Sequence, residues 1–172
     1  DIPFGAATPI SLVAREILQY ASTIDEAYEI AKKRKTFVSE SLFIGSAKDR
    51  KTAIIEKSPR KQALFETDND YIICTNHFQN NEMTHPEVLN AKTTDYATLY
   101  RFDRVNELFA QNPKLNITHV AEILRDQKGL KNENIGFGNE KAVNQLIAHH
   151  AVIFKPEELK VWVSTSPFQL GK

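Results

Sequence analysis

Residues 41–57 read SLFIGSAKDRKTAIIEK, and the pattern in this stretch decides the fold class. Two segments rich in apolar and β-branched residues, 41–47 and 52–57, flank a polar turn at 48–51. This spacing is typical of two antiparallel strands joined by a short connection. The sequence therefore predicts a β-hairpin here.

Two helices are predicted before this hairpin. Apolar residues recur at helical spacing through residues 11–21, and we expect Thr8 to cap that helix and Pro9 to be its first residue. Residues 23–33 begin with Thr23 and carry Glu26 three positions later, which is the spacing of a capping box. The period thus changes from helix to strand before residue 41.

After the hairpin, strands are predicted at 63–66 and 71–75, and the second of these ends at Asn76. Residues 80–94 are polar and predict a long loop of the kind that often lines a site. The remaining predicted elements are a helix at 96–110 capped by Asp95, a helix at 119–126 capped by Thr118, a loop at 128–139, and a hairpin of strands 148–154 and 159–164.

No regular alternation of strand and helix runs along the chain, so a doubly wound parallel sheet is not expected. Antiparallel sheet packed with pairs of helices is the natural arrangement for this order of elements. The length of 172 residues suits one domain. We therefore predict an α+β fold in a single domain, residues 1–172.

Composition excludes several classes of function. The 22 Lys and Arg residues equal the 22 Asp and Glu residues, so no field of one sign favours nucleic acid. No apolar run approaches the ~20 residues of a membrane-spanning helix. The five histidines show no metal-ligand spacing, and no nucleotide-binding motif occurs, so neither metal nor cofactor is expected.

The single cysteine, Cys74, has two readings. It could be a nucleophile paired with His77, but an odd spacing puts the two side chains on opposite faces of an extended chain. It also follows the apolar pair Ile72 and Ile73, and free cysteine is a common small buried hydrophobe. We favour the core position and keep the Cys74–His77 thiol enzyme as an alternative. One cysteine does not indicate a compartment, and bacterial extracytoplasmic and cytoplasmic locations both stay open.

The segment Thr75-Asn76-His77-Phe78 resembles the TNHF segment of the acyl-coenzyme A:6-aminopenicillanic acid acyltransferase family, also called the C45 peptidase family. That family belongs to the N-terminal-nucleophile (Ntn) hydrolases, beside choloylglycine hydrolase and penicillin V acylase. Other segments resemble it in the same order: the helix pair in 3–27, the strand pair ending in glutamate in 41–56, the helix start at 99–104 and the closing hairpin in 149–163.

The resemblance implies a four-layer αββα sandwich with antiparallel sheets, of which this chain is the C-terminal portion. It also implies a nucleophilic cysteine made N-terminal by autoprocessing, whose α-amine is its own base, and an amide substrate. Neither Asp1 nor the internal Cys74 can supply that group. We therefore expect the nucleophile in a segment outside this chain, and expect the chain alone to be inactive.

The resemblance assigns roles to four residues. Asn76 matches the asparagine whose amide donates to the oxyanion, and Arg101 matches the arginine beside the nucleophile. His77 and Phe78 are implied as substrate-binding residues. From the residues alone, Asn76 could equally be a turn residue and Arg101 part of a surface ion pair. The competing function is a non-catalytic domain of the same architecture that binds a ligand or partner.

Overall fold

The computed structural model describes residues 7–164, and the chain divides after Asn90 into two compact units. Both units combine helices with antiparallel sheet, so the predicted α+β class is confirmed. The Pro3 to Gly5 part of the family resemblance lies outside the described residues. The single domain and the four layers stay predictions.

In the first unit, a helix pair packs on a three-stranded antiparallel sheet. Its elements are α1 (Ile10–Tyr20), α2 (Ile24–Lys33), β1 (Glu40–Ser46), β2 (Lys51–Lys57), β3 (Gln62–Phe65) and α3 (Pro86–Leu89). The strand order is β1-β2-β3. The predicted helices and these three strands are confirmed to within a residue or so at each end.

The helix pair covers one face of this sheet. Leu42, Ile55 and Leu64 lie opposite one another across the three strands. Residues directly opposite in antiparallel strands share a face, and these three pack with Val13 and Ala27 of the helices. Burial of these apolar side chains is the main force that holds the unit together.

Strand β2 is buried on both faces, from Ala53 to Lys57. Ile55 points to the helices, so its neighbour Glu56 points to the opposite face. Gln79 and Asn80 lie against Glu56 on that face, because their backbone N–H groups donate to it. The central strand is therefore enclosed between helices and a loop segment.

The strand predicted at 71–75 is wrong, because these residues form no strand in the described chain. The carbonyl of Ile73 accepts a hydrogen bond from the Gln79 side chain at 2.8 Å, so a side chain occupies an acceptor that a ladder would use. The apolar residues cover the face of the sheet and do not extend its edge.

The second unit contains α4 (Ala97–Gln111), α5 (Ile117–Leu124), β4 (Ala151–Lys155) and β5 (Lys160–Ser164). The two strands form the predicted hairpin, with Ala151 opposite Ser164 and Lys155 opposite Lys160. The predicted loops contain short helical turns: α3 and a 3-10 turn at Thr93–Asp95 lie in 80–94, and Leu130–Asn132 lies in 128–139.

Three of the predicted helix caps are wrong. Pro9 is the N-cap of α1 and not its first residue, and α1 has no side-chain cap hydrogen bond. Asp95 accepts from the N–H of Lys92 within the turn before α4 and does not cap the helix. The cap of α5 is Asn116, two residues before Thr118. Thr23 caps α2 as predicted.

No helix among residues 7–164 has the length and apolar character needed to cross a membrane.

Candidate functional site

A buried carboxylate lies beneath the TNHF segment. Glu56 has 0% of its surface exposed. The backbone N–H groups of Gln79 and Asn80 donate to its two oxygens at 2.5 Å and 3.0 Å. Burial raises the pKa of Glu56 because it disfavours the charged form, and the two N–H bonds oppose that rise. Both oxygens of this side chain are thus directed at the segment that carries Asn76.

Side-chain bonds to backbone fix the rest of the segment. Gln79 Nε2 donates to the carbonyl of Ile73 at 2.8 Å and closes a loop around Asn76. Asn80 Nδ2 donates to Leu64 of β3 at 3.2 Å, and Thr84 Oγ1 donates to Phe78 at 2.8 Å. Two of these bonds hold the segment together internally, and the bond to Leu64 ties it to the sheet in addition to the bonds to Glu56.

Asn76 lies in a bend of this loop and is exposed. Its neighbours His77 and Phe78 are half-buried, and His77 Nδ1 lies 3.0 Å from Thr75 Oγ1. The predicted site residues Asn76, His77 and Phe78 are thus consecutive on one anchored bend. The bend replaces the strand end on which the sequence had placed Asn76.

Cys74 is half-buried beside the same carboxylate. Burial is the largest cause that raises the pKa of its thiol, a hydrogen bond with Ser41 opposes the rise, and the charge of Glu56 adds to it. A thiol acts as a nucleophile when its pKa is lowered. The surroundings of Cys74 do the reverse, so they favour packing over catalysis.

Arg101 lies in the first part of α4, in the second unit, and is half-buried. Its Nη1 donates to the carbonyl oxygen of Glu140 at 2.5 Å. Burial lowers the pKa of Arg101, while the charge of Glu140 opposes the change. An arginine stays charged despite such a shift, so the side chain is a cation held partly out of water.

Arg104 ends the segment 99–104 that resembles the family's helix start, but sequence reasoning gave it no role; it is 1% exposed. Its Nε and Nη2 donate to Asp126 at 2.8 Å and 3.0 Å, Nη1 donates to Glu107 at 2.9 Å, and Nη2 also donates to Asn132 at 2.9 Å. The hydrogen bonds to Asp126 are the largest cause that raises the pKa of Arg104, which burial opposes.

A signal for Arg104 was present in the sequence. Arg104 and Glu107 are three residues apart, a spacing that brings opposite charges together on a helix. Apolar residues of α4 such as Leu99 and Phe102 are only half-buried. The buried residues of this helix are Tyr100 and Arg104.

Among the described residues, no group of three or more His, Cys, Asp and Glu side chains is arranged to hold a metal ion.

These features describe an α+β chain with antiparallel sheets and a buried carboxylate beneath an asparagine-bearing bend. A family model for acyl-coenzyme A:6-aminopenicillanic acid acyl-transferase matches residues 3–167. The chain therefore belongs to this family, whose fold is of the Ntn type. Comparison with curated proteins and with solved structures gave no significant match. Membership implies acyltransferase or amide-hydrolase activity.

Proposed function

We propose that this chain is the C-terminal portion of a single-domain Ntn enzyme that cleaves a linear amide or transfers its acyl group. The nucleophile is an N-terminal cysteine, freed by autoprocessing, that lies outside these 172 residues. The observation that carries the proposal is Asn76, exposed on a bend that a buried carboxylate anchors. Family membership supplies the reaction class.

The position of the nucleophile follows from Cys74. It is the single cysteine of the chain, its pKa is raised by burial and by Glu56, and its internal position gives it no α-amine. An Ntn cysteine needs that amine to take the thiol proton. The surroundings of Cys74 therefore support a nucleophile supplied by another segment.

The proposed reaction starts when the cysteine α-amine removes the thiol proton. The thiolate then forms a C–S bond with the amide carbonyl, whose oxygen becomes negatively charged. The C–N bond breaks, the amine leaves with the proton from the ammonium group, and a thioester remains. Water or an acceptor amine attacks the thioester and restores the thiol.

Asn76 donates its side-chain amide to the oxyanion in this scheme. A neutral donor held in place before reaction stabilises charge that appears only in the transition state. Asn76 is an exposed residue, and the bonds of Gln79 and Asn80 restrict the movement of the loop that carries it. His77 and Phe78, next along the bend, contact the substrate.

Arg101 contacts the nucleophile and holds its charge. A guanidinium remains charged at any working pH and can donate to two acceptors. Its partial burial keeps that charge from being fully screened by water. Asn76 lies in the first unit of the chain and Arg101 in the second.

Replacement of Asn76 by Ala tests the proposal in the full-length protein. Hydrolysis of penicillin V, an N-acyl amino acid and a bile-salt amide is measured, as is acylation of 6-aminopenicillanic acid by an acyl-coenzyme A. Loss of one oxyanion donor lowers kcat by about 10²–10³, and we expect that loss for Asn76→Ala on any substrate turned over.

The matched control is Asn69→Ala, since Asn69 is also exposed and lies in the same unit. It should retain the wild-type kcat. Equal turnover by Asn76→Ala and Asn69→Ala would remove the oxyanion role. A full-length protein that binds these amides but never cleaves them would favour the non-catalytic binding domain.

A further inference from the structure

The carboxylate of Glu56 needs an explanation that the proposed reaction does not supply. Ionised carboxylates are rarely buried completely, because loss of hydration is costly unless hydrogen bonds replace it. Glu56 is nevertheless fully buried in the central strand β2. The groups that oppose the rise of its pKa are two backbone N–H donors from one loop.

Those two donors belong to consecutive residues, and each meets a different oxygen of the carboxylate. Gln79 donates to Oε1 and Asn80 to Oε2. Because two bonds from one rigid group fix orientation as well as distance, the carboxylate sets how this part of the loop lies on the sheet. Gln79 also closes the loop back to Ile73 through its side chain. Asn76 is located within that closed loop.

We propose that Glu56 is a positioning residue, which holds the Asn76 amide in its oxyanion-binding place by anchoring Gln79 and Asn80. The inference rests on the proposed function, since it needs Asn76 as the donor. Glu56 itself contacts no reacting atom in this scheme. A displacement of about 1 Å in a catalytic group can lower a rate by about 10²-fold. Glu56 anchors Gln79, three residues after Asn76, so loss of that anchor is expected to lower the rate.

The substitution Glu56→Gln isolates this role. It keeps the size of the side chain but replaces one accepting oxygen with an NH₂ group that faces a backbone N–H donor. One of the two bonds from Gln79 and Asn80 is therefore lost, and the new NH₂ group faces a backbone N–H that has no acceptor. The core volume is unchanged, so the sheet is expected to fold. Gln79→Ala is a second variant, which removes the bond to Ile73 and leaves both bonds to Glu56 in place.

The experiment compares the full-length wild type with Glu56→Gln, Gln79→Ala, Asn76→Ala and the double variant Glu56→Gln/Asn76→Ala, using penicillin V and the other probe amides. Because the oxyanion forms after binding, we expect Glu56→Gln to lower kcat by about 10–10²-fold with little change in KM. The double variant should be no slower than Asn76→Ala, because Glu56 acts through Asn76. Gln79→Ala should lower kcat in the same way, by a smaller factor.

A structural role alone would give a different result. If the losses in kcat multiply in the double variant, or if Glu56→Gln keeps the wild-type kcat, the positioning role is wrong. The control Glu66→Gln, an exposed carboxyl in the same unit, should change neither constant.

Amide hydrogen exchange separates this inference from the proposed function. In Glu56→Gln we expect faster exchange at Gln79 and Asn80, while the β1–β2 ladder stays protected. If the wild type cleaves no probe amide, the proposed function fails, and this exchange pattern still decides whether Glu56 anchors the loop. Unchanged exchange at both residues would overturn the anchoring.

Discussion

Each unit of the chain holds a charged side chain that is at most 1% exposed, Glu56 in the first and Arg104 in the second, and the two are bonded in different ways. Arg104 meets the carboxylates of Asp126 and Glu107 and the amide oxygen of Asn132. Glu56 meets backbone N–H groups of a loop. Three side chains converge on the arginine from α4, the segment just after α5 and the 3-10 turn at 130–132, so it joins elements of structure. The glutamate holds one loop in one position.

This difference indicates two kinds of use for a buried charge. An ion pair that links elements contributes to the stability of the unit, and loss of one partner leaves the other charge uncompensated. A carboxylate bound to backbone donors instead determines the path of the chain that supplies them. We expect substitutions at Arg104 to act mainly on unfolding, and substitutions at Glu56 mainly on the bend around Asn76.

The largest effect on stability is expected from Arg104→Met. The substitution leaves Asp126 and Glu107 without their cation, and breaking a buried pair typically costs about 3–5 kcal/mol. Asp126 and Glu107 keep 12% and 23% of their side-chain surface exposed, so we expect the lower end of that range. Urea denaturation measures the free energy of unfolding.

The control is Arg15→Met, because Arg15 is exposed on α1. Its effect should stay within about 0.5 kcal/mol. Equal losses in the two variants would show that the buried network carries no special stability and would remove the contrast with Glu56.

The contribution to the pH dependence of unfolding should differ in sign between Glu56 and Glu107, the partner of Arg104. The ordinary glutamate pKa is 4.5. The pKa of Glu56 is raised in the folded protein. Its contribution to stability is therefore fully present below pH 4.5 and is lost as pH rises through the folded-state pKa. For Glu107, burial would raise the pKa, but the bonds from Arg104 and from the Lys131 N–H lower it overall. Its contribution is present above 4.5 and is lost as pH falls.

Glu56→Gln tests this sign above about pH 4.5 and Glu107→Gln tests it below about pH 4.5, so the free energy of unfolding is measured from about pH 3 to about pH 7. The free energy of unfolding of Glu56→Gln, relative to wild type, should improve as pH rises. The deficit of Glu107→Gln should shrink as pH falls. Identical slopes for both variants would contradict the assignment of opposite pKa shifts.

Local patterns predicted much of the fold because the elements concerned are decided locally. The cap at Thr23, the turn at 48–51 and the closing hairpin all depend on neighbours within a few residues. The segment 71–75 was predicted wrongly because an apolar run is typical of either an added strand or a cover for a sheet face. The carbonyl of Ile73 instead accepts a hydrogen bond from the Gln79 side chain, a contact that the apolar run itself cannot reveal.

The candidate site was predictable only in part for the same reason. The TNHF segment singled out Asn76 and its neighbours, and the family match covers that region. The support beneath Asn76 comes from Glu56, 23 residues before Gln79. In the sequence, Glu56 is only the polar end of an apolar strand. Pairing between residues so far apart depends on which face of the sheet the loop covers.

The smallest effect is expected at Cys74, which reports on the charge of Glu56. That charge is one cause of the raised thiol pKa, so Glu56→Gln should lower the pKa and increase the rate of alkylation by iodoacetamide by roughly threefold near neutral pH. Peptide mapping by mass spectrometry distinguishes Cys74 from any other cysteine of the full-length protein. Glu66→Gln serves as the control and should leave the rate unchanged.

Replacement of Cys74 by Ala completes the comparison. If Cys74 only packs beside the carboxylate, Cys74→Ala keeps the wild-type kcat while the protein still folds, and the unfolding free energy falls by about 1 kcal/mol. Loss of turnover in a folded Cys74→Ala protein would instead restore the Cys74–His77 thiol enzyme. Alkylation that is no faster in Glu56→Gln would mean that the buried charge does not reach the thiol, and the influence of Glu56 would then be confined to Gln79 and Asn80.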